Sequence, residues 1–252
     1  MAKRRKAIRA GRLVKVVLYS CPHPSDGEQA RAAKSKCTTM ARQAINLRCA
    51  YQKLEMELAA NFLYGDLHAV FNYDDDHLPS DRDDAVKMLK KFIVQLRKSR
   101  RLVGDDLKYI YVTEGAHGDK RLHHHIVLNG SMEDLELLRS LWFYGDVHLE
   151  TIDDRGYEGL AKYLTKEARE HGGTRGLRSW TPSRNLKKPE VESGWVPDDV
   201  TLSAPPGAIV LDSEPPVRNE FGEFSCIKYL MPEPRTRKRK GRPKAKSERK
   251  IA

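Results

Sequence analysis

The chain has 252 residues, which suits one large domain with tails or two small domains, and 39% of them are hydrophobic, enough for a core. No run of about 18 apolar residues occurs, and the basic N-terminus lacks the apolar stretch of a signal peptide, so neither a transmembrane span nor a secreted protein is expected. The four cysteines form no close Cys-x-x-Cys pair, which favours free thiols in a reducing cytoplasm.

The net charge of +11 is concentrated at the two ends of the chain. Residues 1–15 hold seven Lys or Arg and no acid, and residues 235–252 hold ten Lys or Arg and one Glu. The rest of the chain has 29 basic and 34 acidic residues and is therefore slightly acidic. We expect the ends to supply non-specific electrostatics and the body to bind its substrate through local chemistry.

Residues 1–60 are predicted to form a basic segment, with a candidate strand at Leu13–Tyr19, followed by a helix that packs on the core. Apolar residues recur at steps of three and four from Met40 to Leu58, which is the pattern of one helical stripe, and Thr38 or Thr39 could cap it. A dimer seam is the alternative use of this stripe.

Residues 61–172 are predicted to form the core of an α+β fold, a central antiparallel sheet of about five strands flanked by helices. Helical periodicity is seen from Val86 to Leu96, after a capping-box pattern at Ser131 and Asp134, and from about Arg155 to His171. The predicted strands are Asp66–Tyr73, Leu107–Glu114, Arg121–Asn129 and Gly145–Thr151.

The remainder of the chain is predicted to be less regular. Residues 173–234 are interpreted as a basic loop and an irregular extension with one last strand near Phe221–Leu230. Residues 235–252 are low in complexity and are predicted to be a disordered basic tail.

His123-His124-His125 is the most informative feature of the chain, because it lies within the apolar strand Leu122–Leu128. Alternate residues of a strand share a face, so His123 and His125 point the same way, and His124 is expected to be the outward-facing residue between them. Two imidazoles on one face can bind one metal ion.

The preceding hairpin adds a carboxylate to this pair. A turn at Gly118-Asp119 sets a register that places Glu114 opposite His123, so that Glu114, His123 and His125 converge on one face. This ligand set suits Mn²⁺, and Mg²⁺ is also compatible. His117 could replace Glu114 as third ligand, and the alternative is that these are ordinary strand residues.

Other histidines are not assigned to the metal site. His23, His68 and His148 are interpreted as structural or surface residues.

Tyr163 is the candidate nucleophile, since it falls outside the apolar stripe of its helix, whereas Tyr157 falls within it. Gly159, one turn earlier, leaves room for a substrate backbone, and Lys166, one turn later, could neutralise a phosphate. The alternative is a surface tyrosine beside a solvated lysine.

Basic residues near an aromatic side chain are candidates for DNA contact. Guanidinium groups can meet phosphates while tryptophan stacks on an unpaired base. Packing of the tryptophan against the domain is the alternative, and the tail segment Lys240–Lys244, which resembles the Gly-Arg-Pro core of an AT-hook, could also be a simple tether. The candidate DNA-binding residues are Arg178, Trp180, Arg184, Lys187, Lys188, Arg239 and Arg242.

Two of these motifs resemble those of one family. Arg121–His125, followed by Ile-Val-Leu, resembles the His-hydrophobic-His motif of HUH endonucleases, although His124 stands where that family has a bulky apolar residue. Ala161–Lys166 resembles the Tyr-x-x-Lys motif of the same superfamily. Across residues 30–190, the chain is most similar to rolling-circle replication initiators of phages and plasmids, the group related to the filamentous-phage replication endonuclease.

The resemblance implies a metal-dependent nickase and strand transferase acting on single-stranded origin DNA. Tyr163 would attack the phosphate and become linked to the 5′-phosphate, and Lys166 would assist. Expected partners are a host helicase and polymerase, in the cytoplasm and without a membrane. Alternatives are a single-tyrosine HUH transposase, a non-catalytic DNA-binding regulator, and a metallohydrolase that uses bound water.

Overall fold

The computed structural model describes residues 2–21, 39–115, 118, 120–153, 157–170, 179–219 and 222–232. These residues form two antiparallel five-stranded sheets with helices packed against them. The predicted α+β fold is confirmed.

The first sheet is the predicted central sheet, with the strand order β6-β3-β5-β4-β7. All of its pairings are antiparallel. Because β5 lies in the middle, its side chains are buried on both faces of the sheet. The strands are β3 Leu67–Asn72, β4 Tyr109–Glu114, β5 His123–Leu128, β6 Val147–Thr151 and β7 Thr181–Pro182.

Helices cover both faces of the central sheet. The predicted N-terminal helix is confirmed, and the last predicted helix is divided into two at Thr165. Asp81 caps α2 by accepting a hydrogen bond from the Asp84 backbone N–H. The helices are α1 Thr39–Asn61, α2 Arg82–Leu102, α3 Leu135–Leu141, α4 Glu158–Leu164 and α5 Lys166–Glu170, with a 3₁₀ turn at Met132–Asp134 that forms the predicted capping box.

The two faces of the central sheet have separate hydrophobic clusters. Phe71 and Ile126 lie on the α2 face and pack with apolar residues of α2, such as Phe92. Val112 and Val127 lie on the α1 face. Residues of α1 and α4, such as Leu58 and Ala161, complete that second cluster.

The second sheet was not predicted as a sheet, although the predicted strands at Leu13–Tyr19 and near Phe221–Leu230 are confirmed as two of its members. The basic N-terminal segment forms two strands, and the expected irregular extension supplies three more. The order is β8-β1-β2-β10-β9, so that strands from opposite ends of the chain pair with one another. The strands are β1 Ala2–Ala10, β2 Leu13–Cys21, β8 Glu190–Val196, β9 Ile209–Asn219 and β10 Gly222–Leu230.

The two sheets share one hydrophobic cluster. Leu13 and Leu230 of the second sheet pack in the same cluster as Leu54 of α1 and Val127 of the central sheet. This packing fixes α1 between the two sheets. Among the helices that the structure describes, none has the length and hydrophobicity needed to cross a membrane.

Candidate metal centre and tyrosine

The predicted register of the hairpin is confirmed, since Glu114 is paired with His123 and Val112 with His125. Glu114, His123 and His125 lie on the α1 face, and each offers a ligand atom within 4.8 Å of the others. Gly115 follows Glu114 with a φ of +91°, and a Cβ atom there would lie 2.8 Å from the Arg121 carbonyl oxygen. Glycine therefore lets the two strands approach closely beside the carboxylate.

The donor atoms of this group lie close enough together to bind one metal ion. The Nε2 atoms of His123 and His125 are 3.2 Å apart, and these atoms lie 3.7 Å and 3.8 Å from the nearest carboxylate oxygens of Glu114. Two nitrogens that each lie about 2.1 Å from one ion are separated by roughly 3 Å, close to the distance between these two Nε2 atoms. Glu114 Oε1 is buried and has no hydrogen-bond partner among the described residues. The three side chains could therefore hold a metal ion.

The other ring nitrogens of the two histidines also have partners. His123 Nδ1 donates to the Arg121 carbonyl oxygen at 2.8 Å, which leaves the Nε2 lone pair directed at the candidate site. His125 Nδ1 lies 3.2 Å from His68 Nε2, and His68 Nδ1 lies 3.7 Å from Glu150. A chain from Glu150 through His68 can thus orient His125.

His68, which the sequence suggests is a structural or surface residue, lies in contact with a candidate ligand, His125. It is buried on β3, where Val70 pairs with His125 and His68 with Val127. Its position inside an apolar strand was the available signal, but the register of β3 against β5 was not predicted.

Burial controls the protonation of the candidate ligands. Burial, together with repulsion from His123, lowers the pKa of His125 to about 3, so its imidazole is neutral at physiological pH. A neutral imidazole is the form that binds a metal ion. Burial also raises the pKa of Glu114, while the neighbouring His123 and Lys120 oppose this rise.

His124 points away from this group, as predicted, but it is not directed at solvent. It is fully buried on the α2 face. Its Nε2 lies 2.7 Å from Tyr73 Oη and its Nδ1 lies 2.9 Å from Thr113 Oγ1. The expectation of an outward-facing residue is wrong because α2 and Trp142 cover that face of the sheet.

Tyr163 lies beside the candidate metal ligands. Its side chain is 48% exposed, as expected for a residue outside the apolar stripe, whereas Tyr157 is buried. The Tyr163 ring is 5.1 Å from the His125 ring and 6.1 Å from the His68 ring, centroid to centroid, with its plane nearly perpendicular to both.

The helix is interrupted between Tyr163 and Lys166. Thr165 Oγ1 donates to the Ala161 carbonyl oxygen at 2.8 Å, and α4 ends there. Lys166 then begins α5, where its Nζ lies 3.7 Å from Glu170. The structure thus places Lys166 on a separate short helix rather than one regular turn after Tyr163.

Ion pairs attach α4 to the rest of the molecule. Glu158 contacts Lys162 of the same helix at 2.6 Å. It also contacts Lys228 of the second sheet, and this ion pair attaches α4 to that sheet. Lys228 is buried and lies 3.0 Å from Glu55 of α1. Although burial opposes the effect, hydrogen bonds from Lys162 and Lys228 lower the pKa of Glu158 to about 2.

The candidate DNA-contact residues are not gathered at the metal group. Trp180 is half-buried, donates from Nε1 to Glu57 at 2.7 Å and packs against the α1 cluster, as its alternative interpretation expects. Arg184, Lys187 and Lys188 are exposed. Four of the predicted site residues lie outside the described part of the chain, as does the predicted basic tail of residues 235–252. These four are His117, Arg178, Arg239 and Arg242.

A family of known proteins matches part of the chain. The model of a family described as replication-associated protein ORF2 matches residues 70–168. This range includes the candidate metal ligands, Tyr163 and Lys166, and it supports a relation to replication initiators. No curated protein and no solved structure matches the chain.

Proposed function

We propose that this protein is a metal-dependent endonuclease of the HUH superfamily, related to the filamentous-phage replication endonuclease. It would initiate rolling-circle replication by nicking single-stranded origin DNA. The observation that carries the proposal is the exposed ring of Tyr163 beside His125, whose Nε2 faces that of His123. The match to a replication-associated family over these residues supports the same function.

Glu114, His123 and His125 would hold the metal ion. Their two imidazole nitrogens and one carboxylate suit Mn²⁺, and Mg²⁺ is compatible with the carboxylate. When bound, a divalent ion supplies polarisation of the scissile phosphate. His68 and the Arg121 carbonyl oxygen orient the imidazoles for this role.

Tyr163 supplies the nucleophile that takes over the phosphoryl group of the DNA strand. Its phenolic oxygen forms a bond with the phosphorus, and the bond from phosphorus to the 3′ oxygen breaks. The phenol loses its proton and the departing 3′ oxygen gains one, which leaves a 5′-phosphotyrosine and a free 3′-hydroxyl. The reverse reaction rejoins strands, and the free 3′-hydroxyl can prime synthesis.

Lys166 is proposed to stabilise negative charge on the phosphate. It is exposed at the start of α5, close enough for its charge to influence Glu114. As a flexible point charge, lysine can reach a phosphate without a fixed geometry.

The proposed partners are single-stranded origin DNA and a host helicase and polymerase in the cytoplasm. The DNA contacts would come from the exposed cations Arg184, Lys187 and Lys188 and from the basic ends of the chain. Trp180 is less suited to stacking on a base than the sequence suggested, since its indole N–H is bonded to Glu57.

Covalent attachment tests the proposal. The full chain is incubated with a pool of single-stranded oligonucleotides of random sequence and Mn²⁺, and denaturing gels and peptide mapping identify the attachment site. We expect a DNA adduct at Tyr163, no adduct with Tyr163→Phe, and an undiminished adduct with the control Tyr144→Phe, which alters a tyrosine packed against Trp142 on the α2 face. Cleavage without an adduct, or an adduct that persists in Tyr163→Phe, would contradict it.

A further inference from the structure

A cavity of about 510 Å³ lies beside Tyr163, between α4 and the strands β3 and β6. Its volume is within the range of pockets that bind small organic groups. The metal-binding group does not line it, but His68 does, and His68 Nε2 is 3.2 Å from His125 Nδ1. The cavity therefore adjoins the candidate metal centre through His68.

Tyr163 lies between the cavity and the candidate metal centre, since it lines the cavity and its ring also contacts that of His125. A DNA strand whose phosphate meets the Tyr163 hydroxyl would bring the adjoining nucleoside to the mouth of this cavity. Gly159 also lines the cavity, and a Cβ atom there would meet no atom within 4 Å. The space beside Gly159, one turn before Tyr163, is therefore open.

The walls suit a base better than a phosphate. Val70, Ile152 and Leu160 offer apolar surface for the faces of a ring. The carboxylates of Glu150 and Asp153 would repel a phosphate, whereas they can accept hydrogen bonds from the N–H groups of a base.

We propose that this cavity binds an unpaired nucleobase next to the cleaved phosphodiester and that Glu150 selects a base with an amino group. Guanine is preferred, because its N1–H and N2–H groups can donate side by side to one carboxylate. Adenine and cytosine each offer an amino donor, whereas thymine offers one N–H between two carbonyl oxygens that a carboxylate repels. The proposal rests on the proposed nicking function, which places the phosphate at Tyr163.

Glu150 is the suitable residue to test. Its side chain is 81% exposed on β6, an edge strand of the central sheet, so Glu150→Gln removes the charge without disturbing a packed core. Because Glu150 also contacts His68, the quantity compared is the ratio between bases and not the rate of adduct formation. Glu136→Gln is the matched control, since Glu136 is an exposed acid on α3.

The first measurement uses the covalent adduct. Attached and released strands from the random pool are sequenced, and one cleaved sequence is then remade with each of the four bases on either side of the cut. We expect guanine to be favoured over thymine by about tenfold at one flanking position, the size of one good carboxylate or amide contact to a base edge. In Glu150→Gln, this preference should fall to about threefold or less, and in Glu136→Gln it should be unchanged.

The second measurement tests base binding in the cavity independently of DNA cleavage. Binding of the Tyr163→Phe protein to an all-thymidine strand is compared, by fluorescence anisotropy, with binding to the same strand carrying one guanine. Tighter binding of the guanine strand, reduced by Glu150→Gln, supports the cavity proposal even if the wild type forms no adduct, in which case only the nickase proposal fails. Adducts formed without any flanking-base preference, or a preference that Glu150→Gln leaves intact, overturn the cavity proposal alone.

Discussion

His124 and His125 are neighbours on one strand and both are buried, yet their ring nitrogens have different surroundings on the two faces of the central sheet. On the α2 face, both ring nitrogens of His124 have hydroxyl partners, Tyr73 and Thr113. On the α1 face, the Nε2 of His125 faces that of His123 beside a buried carboxylate oxygen of Glu114 that has no hydrogen-bond partner among the described residues.

The difference shows how a structural histidine is distinguished from a candidate ligand. A polar network whose members are all paired stabilises a core, whereas an unpaired buried oxygen carries a cost that a bound cation would remove. Burial alone does not separate the two cases, since it lowers the pKa of each imidazole to about 3.

The largest expected effect is on the α1 face. His125→Ala removes one imidazole from the metal-binding group, and the rate of adduct formation with Mn²⁺ should fall by about 100-fold or more, because the ion supplies several kcal/mol of charge stabilisation. Rates are measured under single-turnover conditions. His77→Ala, which removes a half-buried histidine beside Asp74, is the control and should react at the wild-type rate. A rate in His125→Ala within a fewfold of the wild type would contradict the assignment.

The α2 face should respond in stability rather than in metal binding. His124→Leu leaves the Thr113 hydroxyl without its imidazole partner, while Tyr73 keeps its bond to the Ala85 carbonyl oxygen. We expect a loss of about 2 kcal/mol in the free energy of unfolding, measured with urea. The folded variant should bind Mn²⁺ as tightly as the wild type. Unchanged stability, or weaker Mn²⁺ binding by the folded variant, would show that the two faces are not distinct.

The smallest expected effect concerns the attachment of α4, which carries Tyr163 on the α1 face. Because the folded pKa of Glu158, about 2, is below its ordinary value of 4.5, its ion pairs stabilise the fold above pH 4.5. This contribution is lost as the pH falls from 4.5 towards 2. Since the side chain is one-third exposed, we expect Glu158→Gln to cost about 1 kcal/mol at pH 7.

Urea unfolding at pH 7 and pH 3 measures this effect. The difference in stability between wild type and Glu158→Gln should shrink at the lower pH, and Glu136→Gln should show no such change. An equal difference in stability at pH 7 and pH 3 would mean that the ion pairs of Glu158 do not stabilise the packing of α4.

The local parts of the site could be predicted from the sequence. Glu114 and His123 belong to adjacent strands of one hairpin, so strand alternation and the position of the turn place them together. Tyr163 is separated from the apolar stripe by the helical period alone, and its exposure follows from that.

The non-local parts could not be predicted. The contact of His68 with His125 depends on the register between β3 and β5, which α2 and β4 separate along the chain. The burial of His124 depends likewise on α2 covering its face of the sheet. Neither arrangement leaves a local pattern in the sequence.

The second sheet was missed for a related reason. Its strand β1 pairs with β8, from the other end of the chain, and such pairings have no local signal. Pro215 and Pro216 suggested irregular structure in a segment that forms β9, because proline is excluded from central strands. They are tolerated since β9 lies at the edge of the sheet.

Titration of the full chain with Mn²⁺, followed by the electron paramagnetic resonance signal of the free ion, tests the central claim most directly. We expect wild-type protein to bind one ion, and His124→Leu to bind it equally once circular dichroism shows that the variant is folded. The double variant His123→Ala/His125→Ala should be folded and should not bind the ion. Failure of the wild type to bind, or unaltered binding by the folded double variant, would contradict a metal centre on the α1 face.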